Sequence, residues 1–489
     1  MAQAPDTNLV DPLHRHAAER PDRPAVISPG RTLSWAQLDR LTWSTALRLH
    51  VAGVRPSHRV GITMLHPLLH LVTSLALARI GAAQVGLPAA DGAQARAAVR
   101  QTLALDAVVC DTEKLRDETP GAILIDKLEA RQIGTAQRDA IASRDPSLTW
   151  LILQSSGTTG SPKFAELSHE GALVRFARYL PLFHTTADDV FWAASRLDFV
   201  VAKQRTLHAL MAGASVCLPV GLPISGALVD FLNETGVTLA CGTPSHLHQL
   251  IGAGKPIPSL RVFEARSAVI DEKLRQTFRT VVSPNLHIVY ATNEGEALAH
   301  AEPELQLRVP NTVGRPTASV ELQIVDDRGQ PLPPEQTGEI RVRGPGIVTA
   351  YLGNPEATAR SFRDGWFHPG DLGYLTWEGA LMLQGRKDDM MIFDGMNVYP
   401  AEIENALCAH PAVREAAAFP LKHERFQDVP VAAVTLQGEA SESALIDHCK
   451  ALIGIRHPHR VFVLEEFPRN PMGKILKREL VSLAARRGR

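Results

Sequence analysis

The stretch LILQSSGTTGSPKFAELSH, residues 151–169, opens as an apolar run and then breaks into small, hydroxylated residues before a single lysine. Ser155, Ser156, Gly157, Thr158, Thr159, Gly160, Ser161 and Pro162 lead up to Lys163. Glycines let a backbone close round phosphate oxygens, hydroxyls donate to them, and the ammonium adds positive charge. The spacing is not that of a Walker A loop, which ends in Gly-Lys-Ser/Thr. Taken alone, the segment fits a phosphate cradle or a flexible surface loop equally.

Outward from the loop, short β-branched runs alternate with helical patterns, and this predicts an α/β fold with largely parallel strands. Expected strands are Arg59–Leu65, Ala107–Cys110, Thr149–Leu153, Ser215–Leu218, Thr238–Cys241, Arg261–Phe263 and His287–Tyr290. Trp35–Leu49 keeps helical spacing after Ser34 as N-cap, and the apolar stretch Pro67 to Gly86 reads as a buried helix because His70 and Arg79 interrupt it. Beyond about residue 310 the texture turns Gly/Pro-punctuated and β-rich, predicting a small antiparallel unit within the large domain. The last stretch, with Ala416–Pro420, Val431–Leu436, Ser441–Ile453 and Arg460–Leu464, predicts a small α+β domain. Placing the boundary near Asp388 gives domains 1–387 and 388–489.

The chain has 489 residues, 45% of them hydrophobic, enough for more than one domain. Its 51 Lys and Arg balance 52 Asp and Glu, so nothing in the bulk charge attracts nucleic acid or an acidic membrane. The five cysteines form no CxxC pair, which fits a reducing cytoplasm better than a disulfide framework or a zinc site. MAQAPDTNLVDPLHRHAAERPD lacks the pattern of a signal peptide, and no stretch predicts a membrane span.

The loop SSGTTGSPK resembles the phosphate loop of the adenylate-forming superfamily of acyl- and aryl-CoA synthetases, peptide-synthetase adenylation domains and luciferases. The segments GEIRVRGPGIVTAYLGNPEATARSFRDGWFHPGDLGYL, GRKDDMMIFDGMNVYPAEIE and PRNPMGKILKREL follow in the family's order, and ERPDRPAVISPGRTLSWAQLDRL fits its beginning. The resemblance implies that ATP and a carboxylic acid give an acyl-adenylate and pyrophosphate, after which a thiol takes the acyl group. Two anions meet in that first step, so cationic groups and a divalent ion, Mg2+, are implied.

Residue by residue, the resemblance makes Glu294 in YATNEGE the metal-binding glutamate and Tyr290 the aromatic that stacks on adenine. Asp371 in HPGDLGY matches the aspartate that accepts the ribose hydroxyls, and Arg386 in GRKDD an arginine near ribose and phosphate. Lys474 in RNPMGKILK matches the lysine that bridges the carboxylate and the α-phosphate, and Lys163 serves the phosphates. Asp388 matches the hinge about which a mobile small domain turns between the half-reactions.

Several positions depart from the family pattern. Phe164 replaces the glycine after the loop lysine, which predicts a stiffer, slower loop. Ala291 and Asn293 alter the Tyr-Gly-x-Thr-Glu motif, with the Asn293 amide still able to donate to phosphate. Asp198 falls at the gate of the acid pocket, and Arg266, followed by Ser267, replaces a glycine beside that pocket. Either Asp198 or Arg266 recognises a polar group on the acid, or they pair with each other or with Arg196 and Lys203. Asp394 stands beside Gly395 where two glycines usually line the acceptor tunnel. The leading expectation is an ATP-dependent ligase joining a small aryl or acyl acid to coenzyme A. Loading of an acyl carrier protein and a weakened nucleotide-binding regulator are the alternatives.

Overall fold

The computed structural model describes residues 6–155, 162–266, 270–393, 396–423, 427–470 and 473–487. Ser156, Gly157, Thr158, Thr159 and Gly160 of the loop, Ser267 beside the acid pocket, and Asp394 and Gly395 of the acceptor tunnel lie outside the described residues.

Two large sheets carry the first part of the chain. In the first, Ile123–Leu124, Ala107–Cys110, Arg59–Thr63, Ala83–Gly86, Thr149–Ser155 and Lys163–Ser168 lie side by side in that order. All neighbours run parallel except the last two, where Ser155 faces Lys163 across an antiparallel ladder. Both ends of the glycine-rich segment are therefore pinned opposite each other. The second sheet runs Arg315–Pro316, Glu296–Ala301, Leu286–Thr292, Val262–Ala265, Leu239–Gly242, Val190–Ala193, Ser215–Cys217, Pro24–Ser28 and Arg31–Ser34. Its inner strands, from Leu286–Thr292 to Pro24–Ser28, are parallel.

Helices Pro67–Ile80, His169–Phe183 and Val200–Met211 share one apolar core with both sheets, joining Leu71, Leu75, Tyr179 and Leu207 to Leu151, Leu153, Val216 and Val262. Parallel strands covered on both faces need such near-continuous apolar runs. Helix Trp35–Val51 starts after Ser34 as its sequence predicts, and the structure adds Gln37, which closes a reciprocal capping box with Ser34.

The expected helix from Pro67 to Gly86 is corrected to a helix ending at Ile80 and a separate strand Ala83–Gly86. Gly81 adopts φ +80°, and a Cβ there would lie 2.6 Å from that of Ser143. The following strand is central and mostly buried, so it reads as apolar as the helix before it.

A small antiparallel sheet spans Glu321–Val325 to Leu381–Arg386 and packs Ile324, Ile340, Val342 and Leu381 against the far face of the second large sheet. After Arg386 a single 3-10 turn, Lys387–Asp389, leads to a C-terminal unit. That unit is a five-stranded mixed sheet, Met391–Phe393, Met396–Val398, Val413–His423, Gln427–Leu436 and Arg460–Leu464, with helices Pro400–Cys408, Glu442–Ile453 and Lys477–Arg487. The architecture is the expected α/β arrangement of layered sheets, a small β-rich unit and a small α+β unit. Among the described residues no helix is long and apolar enough to cross a membrane.

Candidate active site

Asp371 opens a strand whose antiparallel partner ends in Arg386, so residues fifteen apart in sequence become direct cross-strand neighbours. Arg386 donates to Asp371 Oδ1 at 3.1 Å, while the Tyr290 hydroxyl donates to Oδ2 at 2.5 Å from the neighbouring large sheet. Burial raises the Asp371 carboxyl above its ordinary range despite the opposing pull of Arg386 and Tyr290. Burial and the nearby carboxylate raise the Tyr290 phenol still further above its own. Burial alone would lower Arg386; Asp371, Tyr290 and Asp388 together leave it raised. Both Asp371 oxygens are already engaged, so a bound diol must share or displace these donors.

Lys474 reaches the same cleft from the C-terminal unit. Its loop closes on itself: Asn470 N–H donates to the Lys474 carbonyl at 2.9 Å, and Lys474 N–H to Asn470 Oδ1 at 2.9 Å. Gly473 takes φ +78° and rests on the first turn of helix Pro244–Ala253, where a Cβ would come 3.2 Å from that of Ser245. The Lys474 ammonium keeps solvent access. Protein packed around it and the Arg386 charge hold it below the usual lysine range, against the attraction of Asp371 and Asp389.

Glu294 lies buried on the opposite side of Tyr290, with Oε1 accepting from the Tyr351 hydroxyl at 2.8 Å. Arg175, fully buried, donates to the carbonyls of Asn293 at 3.2 Å and Glu294, and so fixes this turn from below. Lys163 places its ammonium 5.0 Å from the Tyr351 ring centroid. Glu294 and Lys163 thus gather round Tyr351, and Arg386 and Lys474 round Asp371. The Asn293 amide donates to the Gln154 carbonyl at 2.6 Å, which ties the turn to the strand leading into the loop and uses one of its two N–H donors.

Phe164 stands just past the loop. It belongs to strand Lys163–Ser168, is 4% exposed, and packs with Ala83, Val85, Leu103 and Ile152 beneath the first sheet. Successive strand residues face opposite ways, so Lys163 turns to the cleft and Phe164 to the core.

Asp198 and Arg266 do not pair with each other. Asp198 accepts from Arg196 Nε at 2.8 Å and faces His70 Nδ1 at 3.6 Å. Lys203 feels the Asp198 charge but donates to Gln84 at 3.0 Å, and burial pushes its ammonium down to about 7. Arg266 is paired with Glu264. Glu264 also accepts from the Tyr179 hydroxyl at 2.7 Å and lies 3.8 Å from Arg205 Nε. Arg205 stacks 3.5 Å over the Tyr179 ring and pairs with Glu296 and His208. Glu296 adopts φ +63°, in the left-handed region unusual for a side-chain-bearing residue. Sequence reasoning missed this buried charge cluster because its members come from separate helices and strands.

Two family descriptions match the chain: AMP-binding enzyme over residues 13–352, and AMP-binding enzyme C-terminal domain over residues 402–474. The chain belongs to the AMP-binding enzyme family. This AMP-binding enzyme is 32% identical to an indoleacetate–CoA ligase of Aromatoleum aromaticum, over 97% of its own length and 98% of the relative's. It is 30% identical to a 2-succinylbenzoate–CoA ligase of Bacillus mycoides, covering 96% of this chain and 98% of that one. Its fold superimposes on an o-succinylbenzoate CoA synthetase from Bacillus subtilis, solved with its acyl-adenylate intermediate, with a TM-score of 0.87 at 25% identity over 98% of each chain. By family it is an AMP-forming ligase of the acyl/aryl-CoA synthetase type. Within this AMP-binding enzyme, Tyr290, Asp371 and Arg386 are joined by hydrogen bonds, with Lys474 close enough to feel the Asp371 and Arg386 charges, and Lys163 and Glu294 both meet Tyr351, while Asp198 and Arg266 pair separately with Arg196 and Glu264.

Proposed function

We propose that this enzyme activates a compact aryl or acyl carboxylic acid with ATP and passes the acyl group to coenzyme A. A carboxylate oxygen attacks the α-phosphorus, forming the acyl–phosphate bond as the bond to pyrophosphate breaks. The thiol sulfur then bonds to the acyl carbon, AMP leaves, and the thiol proton is released. What carries this reading is the convergence of Lys474, Arg386 and Asp371 from two parts of the chain opposite Glu294 and Lys163, in a chain that acid–CoA ligases match nearly end to end.

In this reading Tyr290 packs against adenine, Asp371 accepts the ribose hydroxyls, and Arg386 and Lys163 neutralise phosphate oxygens. Lys474 holds the carboxylate against the α-phosphate, two anions that otherwise repel. Glu294 suits a hard divalent ion arriving with ATP, since Mg2+ takes few protein oxygens beside phosphates and water. Such an ion would supply positive charge at the phosphates. The segment 156–162 would cover them, and the domain boundary is taken at residues 387 and 388.

Acid-dependent exchange of radiolabelled pyrophosphate into ATP, over a panel including indoleacetate, 2-succinylbenzoate and hydroxycinnamates, tests the adenylation. One or more acids should support exchange, and coenzyme A should then yield a thioester. Exchange with no acid despite ATP binding would overturn the proposal. A thioester on a phosphopantetheinylated carrier protein, but not on coenzyme A, would replace only the acceptor.

A further inference from the structure

Among the contacts that dock the C-terminal unit on the first part of the chain, three use none of the reacting side chains. Lys273 lies in the first turn of helix Glu272–Val281, which Asp271 caps through the Leu274 N–H at 2.9 Å. Its ammonium donates to the carbonyls of Pro411 at 3.1 Å and Val413 at 3.0 Å, where strand Val413–His423 begins. Gln437 braces that turn, donating its own side-chain amide to the Pro411 carbonyl at 2.8 Å and its N–H to Ala412 at 2.9 Å. His248, on helix Pro244–Ala253, faces Glu415 at 3.9 Å. Glu415 is paired with Arg469, which donates to the Gly473 carbonyl at 2.8 Å, one residue before Lys474. The Gly473 backbone resting on Ser245 is the third contact.

We propose that Lys273 is a positioning residue whose clamp on the Pro411–Val413 turn holds the C-terminal unit where Lys474 faces Asp371 and Arg386. The idea rests on the adenylation reading and deepens it. Lys273 touches none of the site residues, so it acts only through the balance between docked and undocked arrangements. A half-exposed cation with two carbonyl acceptors is suited to this task. Its bonds are directional enough to define one orientation, yet water can replace them when the unit turns. Rotation about Asp388 would break all three contacts together.

Lys273→Ala should lower the ratio of docked to undocked molecules by about five- to ten-fold, the loss of a charge-assisted hydrogen-bond pair near the surface. Pyrophosphate exchange with the best acid of the panel should fall with the docked fraction. Thioester formation from supplied acyl-adenylate and coenzyme A should hold or quicken. Lys273→Arg should restore exchange, since a guanidinium can also donate to two carbonyls. All five native cysteines are buried, so spin labels at Glu234→Cys and Lys450→Cys report the separation of the two parts directly. The distance population of the parent protein should shrink in the alanine variant and return in the arginine variant. An unchanged distance distribution, or an equal fall in both half-reactions, would overturn the clamp. Should no acid support exchange in the parent protein, the adenylation reading fails while the distance measurement still decides the clamp.

Discussion

Asp371 and Lys474 show how the cleft is tuned before any ligand arrives. Asp371 is held by a phenol and a guanidinium, and Lys474 is kept below its ordinary pKa by burial and by Arg386. Two cations side by side, Lys474 and Arg386, gain when an incoming anion lies between them. Lys474→Ala should therefore reduce pyrophosphate exchange by about a hundred-fold or more, while AMP binding followed by calorimetry stays within a few-fold of the parent protein. Glu296 is the second decisive residue. Burial alone would raise its carboxyl, but Arg205, then His208 and Arg175, hold it down to about 2. Its folded pKa lies below its unfolded one, so the stabilisation is complete above about 4.5 and drains away as pH falls towards 2. Glu296→Gln should cost about 3–5 kcal/mol at neutral pH, because it strands Arg205 without its counter-charge. Denaturant titrations at pH 7 and pH 3 should show that difference narrowing in acid.

At the scale of an element, strand Lys163–Ser168 divides its work by alternation. Lys163 projects to Tyr351 on one face, and Phe164 fills the core beside Ile152 and Leu103 on the other. The Phe164 carbonyl also accepts from Leu352 N–H at 2.6 Å, tying the strand to the segment that carries Tyr351. Phe164→Ala should leave a cavity costing about 3–5 kcal/mol, read as a lower denaturation midpoint with unchanged slope. Exchange at a temperature where the variant stays folded should change little, because the loop begins on the far side of Lys163. The bulky residue after the lysine was visible in the sequence. Its direction was not, because the alternation of the strand starts only where the unregistered loop ends.

Across the whole molecule, one 3-10 turn at Lys387–Asp389 joins the cleft's two suppliers of charge. Lys387 N–H is anchored to the Gly370 carbonyl at 2.8 Å and its ammonium to Glu339 at 3.1 Å, so the turn has a fixed near end. Asp388→Pro should freeze the docked arrangement by restricting φ at the pivot. Pyrophosphate exchange should persist at roughly parental rates, whereas thioester formation from supplied acyl-adenylate should fall steeply. Loss of exchange with survival of the thiol step would point to the opposite frozen state and remove Asp388 from the hinge role.

Local sequence alone determined the alternation of strands and helices, the capping box at Ser34 and Gln37, and the ordered motifs that carry Lys163, Glu294, Asp371, Arg386 and Lys474. Such signals reside in neighbouring residues, whose periodicity and turn chemistry act before the chain closes on itself. Tertiary structure alone decided that Gly81 divides an apparently continuous apolar helix and that Phe164 turns inward. It also assigned Asp198 to Arg196, Arg266 to Glu264, and Lys273 to carbonyls 138 and 140 residues away. Those outcomes depend on which groups, near or far in sequence, share a desolvated space, and burial makes an unpaired charge costly enough to select its partner only after the sheets have packed.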